Sequence, residues 1–237
     1  MPRKHLIASQ TNKKQQNQAK LWQKLAKEIH AAVKVGGPNP EANPRLKSAI
    51  QKALVNNLSR DSINRNINGS NKDNDKLESF EFEAYGPNNL QIIIHALSDN
   101  INRVTANLNG YLNKLNGKFS KPNSVKIHFN NMGHIIVAKS PNINLDNIME
   151  ITLENKIIDI IEQEDCFEIF TDPQDVFNTV DNLNKSSLKI FNYETKLFPE
   201  EKLTSLDDVT KQKLQNFINA CENDDDIQWV VTNFGEE

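Results

Sequence analysis

Cysteine is nearly absent from these 237 residues, with only Cys166 and Cys221 present. Neither sits in a Cys-x-x-Cys pair or has a histidine at metal-ligand spacing, so a disulfide scaffold is excluded and a reducing compartment fits. No apolar run reaches the roughly 20 residues a membrane helix needs, so no membrane partner is expected. The opening Met1-Pro2-Arg3-Lys4-His5 is basic, but no apolar signal core follows, and cytoplasm is the default expectation. Glycine is scarce at eight residues, and Gly36-Gly37-Pro38 lacks the Gly-Lys-Ser continuation of a phosphate-binding loop. The five histidines are scattered with no zinc-ligand pair, and His95, in a strand-like run, is expected to be packed. No Ser/His/Asp grouping stands out. The expectation is a protein without metal or cofactor, and not an enzyme.

Acidic residues are also scarce, but only at one end. Residues 1–72 carry fourteen Lys or Arg against Glu28, Glu41 and Asp61, a balance of +11, whereas the remainder balances at -14. The formal net charge of -3 hides this split. Segregation of sign favours an anionic partner at the basic end, nucleic acid first. The alternative is two solvated surfaces with no partner.

Apolar periodicity gives the basic end three helices. Leu21, Trp22, Leu25, Ile29 and Val33 define one face from about Asn12 to Val33. Lys20, Lys24, Lys27 and Lys34 fall on the opposite face with no acid among them. Gly36, Gly37 and Pro38 end this helix. Asn43 caps the next helix, Pro44 takes its first position, and Leu46, Ile50, Ala53 and Leu54 form its stripe. A third helix starts near Ser59 and is expected to close on a left-handed Gly69. Residues 68–76 read as a linker.

Beyond residue 76 the period changes. Phe80, Phe82 and Ala84 alternate as a strand, and Leu90–Leu97 reads as a buried one. Ile101, Val104, Leu108, Tyr111, Leu112 and Leu115 share one helix face. Val125, Ile127 and Phe129 alternate as a further strand. From Met132 the order is β-α-β-β-α-β, that of a ferredoxin-like unit. A helix near Leu206–Glu222 and a strand Ile227–Phe234 close the chain. The expected class is α+β. A three-helix domain at 1–75 precedes two ferredoxin-like α/β sandwiches, one at 76–130 plus 206–237 and one inserted at 131–205.

Five segments carry a resemblance: Lys24-Leu25-Ala26-Lys27-Glu28-Ile29, the Gly36–Leu46 block, Tyr85-Gly86-Pro87, Ser98-Asp99-Asn100-Ile101-Asn102-Arg103, and Phe167-Glu168-Ile169-Phe170-Thr171. In their order and spacing the chain resembles the YebC/PmpR family, which also contains the mitochondrial translational activator of cytochrome oxidase. The resemblance spans essentially the whole length. It implies a helical domain with two α/β domains, one inserted in the other. It also implies a regulator of gene expression, either a DNA-binding transcriptional regulator or a ribosome-associated factor easing elongation at proline-rich stretches. The chain lacks the Gly-His-Ser-Lys-Trp opening of the better-known subgroup, and its Gly36-Gly37-Pro38 form resembles the subgroup associated with translation. Asn88 and Asn89 replace two glycines of the family pattern; Asn tolerates left-handed backbone, so the turn is expected to survive. Ile101 removes one basic side chain from the family's Asp-Asn-Arg-Asn-Arg-Thr. The family's glycine-rich segment after the middle helix stands here as Asn116-Gly117-Lys118-Phe119-Ser120.

The candidate nucleic-acid-binding residues are Lys13, Lys14, Lys20, Lys24, Lys27, Lys34, Gly36, Gly37, Pro38, Pro40, Asn43, Arg45 and Lys47. The lysines would track phosphates without reading sequence, or would simply be a solvated helix face. Arg3, Lys4, Lys13 and Lys14 would extend that surface as an arm. Gly36–Pro44 would be a tip entering a nucleic-acid site, or a stiff connection. Asp99, Asn100 and Arg103 would form a local polar network or a partner contact, with Asp99 as the helix cap. Asp224-Asp225-Asp226 reads as a solvated turn. The nucleic acid is DNA, or ribosomal RNA or tRNA on the ribosome. No obvious helix-turn-helix recognition face rich in Arg, Asn and Gln base readers stands out, which argues against sequence-specific DNA binding. The rival reading is a protein-interaction adaptor using the acidic α/β domains. Nothing in the sequence sets an oligomeric state.

Overall fold

The structure, a computed structural model, describes the backbone of residues 3–70, 77–140 and 143–235, with side chains from residue 18 onward within those ranges. Most of the expected linker lies outside them. The chain divides into two compact units, one of residues 1–126 and 202–237, the other of residues 127–201.

In the first unit, helix α1 (Arg3–Gly36) runs to the glycine pair. It packs with α2 (Pro44–Val55) and α3 (Arg60–Gly69) around Leu25, Ile29, Leu46, Ala53 and Ile63. The expected caps are present: Asn43 accepts from Leu46 N at 3.1 Å and Ser59 from Ser62 N at 3.2 Å. Two expectations fail here. Leu21 and Trp22 are 37% and 38% exposed, because the three-helix core begins a turn later at Leu25. Gly69 is a helical residue without positive φ, and Ser70 forms the end instead.

A two-layer sandwich completes this unit. Its antiparallel sheet has the order β3-β1-β2-β8, from strands β1 (Glu78–Tyr85), β2 (Gln91–Ser98), β3 (Lys118–Phe119) and β8 (Ile227–Thr232). Helices α4 (Ile101–Leu115) and α7 (Asp208–Asn223) cover one face, where Ile92, Ile94 and Ala96 meet Leu108, Leu112, Phe217 and Cys221. On the other face His95 stacks on Trp229 at 5.0 Å, as a packed histidine should. The β1–β2 turn keeps its geometry with Asn88 and Asn89 at φ 56° and 61°. Ile101 is 45% exposed rather than part of the α4 stripe.

The strand expected at 125–129 is absent. The Glu83 carboxylate collects the N–H groups of Asn123, Val125 and Lys126 at 2.5, 2.6 and 2.9 Å, which folds that segment into a loop. Residues 126–128 form a 3-10 turn and Phe129 opens the next strand.

The second unit is β4 (Phe129–Ala138), α5 (Leu145–Ile151), β5 (Ile157–Glu162), β6 (Cys166–Thr171), α6 (Val176–Lys185) and β7 (Ile190–Pro199). Its antiparallel sheet has the order β5-β6-β4-β7, the ferredoxin-like arrangement. Ile135, Val137, Phe167 and Ile169 pack with Ile148 of α5 and Val180 and Leu183 of α6.

Candidate nucleic-acid interface

The loop between α1 and α2 is built from the inside by one buried side chain. Asn43, 4% exposed, donates from Nδ2 to the Ala32 carbonyl at 2.8 Å and the Gly37 carbonyl at 2.9 Å, while its Oδ1 caps α2. Both amide N–H groups and the carbonyl oxygen are thereby engaged across the loop's base. Gly37 sits at φ 82°, a conformation glycine adopts without the steric penalty of a Cβ. At Gly36 a Cβ would stand 2.6 Å from the Asn43 side chain. Gly37 N closes the end of α1 on Val33 O at 2.8 Å. Asn39 Oδ1 accepts from Glu41 N at 3.1 Å, making a short turn at the tip.

This base leaves Pro38, Asn39, Glu41 and Pro44 exposed, with Lys34 and Arg45 exposed on either flank. Pro40 and Gly37 are half-buried. Lys47 reaches toward Glu41, 3.8 Å away. The side chains of Lys13 and Lys14 lie outside the described residues. The result is a proline-rich loop braced at its base by Asn43, with two exposed cationic groups on its flanks.

The lysine stripe has a different destination from the one expected. Lys20, Lys24 and Lys27 do not face outward but lie against the end of α7 and the turn into β8. Lys20 Nζ donates to Asn223 Oδ1 at 3.0 Å and Lys24 Nζ to the Cys221 carbonyl at 3.4 Å. Lys27 Nζ donates to the Asp225 carbonyl at 2.8 Å and pairs with Asp226 at 3.3 Å. Burial pulls the Lys24 ammonium below its ordinary value, against the opposing pull of Asp224, Glu222 and Asp225. Of the four, Lys34 alone is exposed.

The Asp224–Asp226 run is therefore no solvated turn. Asp224 accepts from Asn107 at 3.0 Å and Tyr111 at 3.1 Å, and burial together with Asp224 pushes the Tyr111 phenol up to about 12. Asp226, buried, binds Arg103 at 2.7 Å. Arg103 also bonds Asp99 and Ser98, at 2.8 and 3.1 Å. The residues Asp99, Asn100 and Arg103 thus form a local network, with one correction: Asn100, not Asp99, caps α4 by accepting from Arg103 N at 3.1 Å. Beside this network lies a cleft of about 300 Å³ between Lys27, His30, Leu77 and Arg103. Sequence reasoning missed the partners of the stripe because Lys24 and Cys221 are 197 residues apart.

Among the described residues, no group of three His, Cys, Asp or Glu is arranged to hold a metal ion, and no helix is long and apolar enough to cross a membrane. Residues 2–73 match the family described as the TACO1/YebC protein N-terminal domain, and residues 77–234 match the TACO1/YebC second and third domain. A probable transcriptional regulatory protein of Ureaplasma urealyticum is 53% identical over the full length of both chains. One from Mycoplasmoides gallisepticum is 52% identical over 98% of this chain and 99% of its own. The crystal structure of a conserved hypothetical protein from Aquifex aeolicus, 30% identical, superposes with a TM-score of 0.78, covering 92% of this chain and 90% of that one.

Proposed function

The chain belongs to the TACO1/YebC family, and we propose that it is a non-enzymatic regulator of gene expression that grips nucleic acid with the α1–α2 protrusion. The observation that carries this reading is the loop base. Asn43 satisfies three backbone groups at 2.8 to 3.1 Å, holding Lys34 and Arg45 on a preformed tip. Preorganisation reduces the entropy lost on binding. The exposed cations supply the phosphate attraction, while exposed backbone at Pro38 and Asn39 offers shape rather than base-edge readout. The engaged lysines of the stripe are assigned a smaller part, since their ammonium groups already have partners.

Relatives are named probable transcriptional regulatory proteins. We assign this chain's principal target to the ribosome, where the protrusion would meet ribosomal RNA or tRNA and ease elongation at proline-rich stretches. The Gly36-Gly37-Pro38 form supports that choice. Sedimentation of the native protein with ribosomal particles in cell lysate tests it, paired with elongation through proline-rich reporters in cells lacking the protein. Co-sedimentation with slowed reporters is expected. Absence from ribosomal fractions with unchanged reporters, alongside binding to duplex DNA, would move the target to transcription.

A further inference from the structure

The inserted unit has a second surface, on the opposite side of its sheet from α5 and α6. The residues facing the helices, Ile135, Val137, Phe167 and Ile169, belong to the core. Their alternates in the same strands, His134 on β4, Glu168 and Phe170 on β6, and Glu194 on β7, therefore share the other face. Asp159 of β5 joins them opposite Phe170.

At the centre of that face is an ordered aromatic cluster. His134, 5% exposed, stacks with Phe170 at 4.9 Å and meets Phe198 edge-on at 5.5 Å, and the two phenylalanines are 5.2 Å apart. Its Nε2 lies 2.8 Å from the Glu168 carboxylate, and Gln163 donates to the other Glu168 oxygen at 3.1 Å. A carboxylate is thus fixed beside two rings that are half exposed. The face already receives one cation: Lys196 Nζ sits 5.0 Å from the Phe198 ring centroid and 3.3 Å from Glu194.

Half-open aromatic rings, Phe170 on the central strand β6 and Phe198 on the edge strand β7, suit two kinds of partner, stacked bases or cationic side chains. Charge decides between them. Residues 127–201 carry fourteen acids against five Lys or Arg, a balance of -9. That field repels a phosphate backbone and attracts a polycation. Asp159, Glu168 and Glu194 stand on the face itself against Lys196.

We propose that this face of the inserted unit binds an arginine- and lysine-rich peptide segment of another protein. A guanidinium would lie on Phe170 or Phe198, where its weak hydration and flat shape favour stacking, with its N–H groups directed to Glu168 and Glu194. Neighbouring cations of the segment would meet Asp159. The inference stands on the second unit alone and does not depend on the nucleic-acid reading.

The test is fluorescence anisotropy of the full-length protein with a labelled dodecapeptide of alternating arginine and serine. The Asp159→Lys/Glu194→Lys variant leaves the His134–Glu168 pair intact. Asp146→Lys/Glu150→Lys on α5 changes net charge equally at the other side of the sheet, and Phe170→Ala removes a ring. Circular dichroism verifies folding of each. Expected are binding that weakens with salt, a loss of about tenfold in the first variant and in Phe170→Ala, and less than about twofold in the α5 control. Equal losses in the face and control variants would reduce the effect to net charge and overturn the proposal. So would absence of peptide binding, binding of a single-stranded oligonucleotide that Phe170→Ala abolishes, or self-association that the face variant abolishes, which would make a second copy the occupant.

Discussion

Arg103 of α4 and Asp226 at the start of β8 are locked together, the guanidinium 2.7 Å from a carboxylate that is only 9% exposed. Lys27 of α1 approaches the same carboxylate from the helical domain at 3.3 Å. One acidic side chain thus joins the three-helix core to the first sandwich. Removing it takes the shared carboxylate from two neighbouring cations, leaving Arg103 with Asp99 and Lys27 with the Asp225 carbonyl. Asp226→Ala is expected to cost about 2 to 3 kcal/mol in urea unfolding, below the full value for a buried pair because Arg103 is half in solvent. Lys27→Ala removes only the weaker, wetter partner and should cost under about 1 kcal/mol. Equal costs for the two would mean that Asp226 is not the common anchor.

The protrusion depends on Asn43 more than on its prolines. Asn43→Ala deletes a helix cap and two donations, to the buried Ala32 carbonyl and the half-buried Gly37 carbonyl, an expected loss of about 2 kcal/mol. Gly36→Ala should be worse than Gly37→Ala, although only Gly37 has positive φ. At Gly37 the added methyl meets open space and costs roughly 1 kcal/mol of backbone strain. At Gly36 it meets Asn43 itself. Thermal unfolding of the three variants gives the ranking, and a larger loss at Gly37 would place the restraint in the turn instead of the amide.

His134 makes the fold acid-sensitive. Burial draws its pKa below the ordinary histidine value, and Lys196 adds to this, while Glu168 and Glu194 oppose it. The unfolded chain takes up a proton near pH 6.5 at this position, and the folded one only at lower pH. Its contribution is therefore complete above pH 6.5 and is lost as the pH falls toward the folded value. His95, lowered mainly by burial, acts in the same direction. Urea midpoints at pH 7.5 and 5.0 should fall for the wild type and fall less for His134→Phe. An identical drop in the variant would assign the acid sensitivity elsewhere.

Local chemistry was legible in the chain and long-range pairing was not. Asn43-Pro44 and Ser59 announced their helices because capping acts within three residues. The β-α-β-β-α-β order announced the inserted sheet because each crossover is short. The fate of Lys20, Lys24 and Lys27 was invisible, since a basic stripe looks the same whether water or a distant acidic turn faces it. The apolar alternation at 125–129 misled for a related reason. Nothing local shows that Glu83, some forty residues earlier, withdraws three N–H groups from strand pairing.

Lys34 and Arg45, flanking the Asn43-braced loop, are assigned the nucleic-acid contact. Titration of structured ribosomal RNA with the wild type and with Lys34→Glu/Arg45→Glu, across a series of salt concentrations, measures it most directly. Expected are weaker binding by the variant and a salt slope shallower by about 2, one unit for each lost phosphate contact, with an unchanged circular dichroism spectrum. Unchanged affinity and slope in that variant would contradict it.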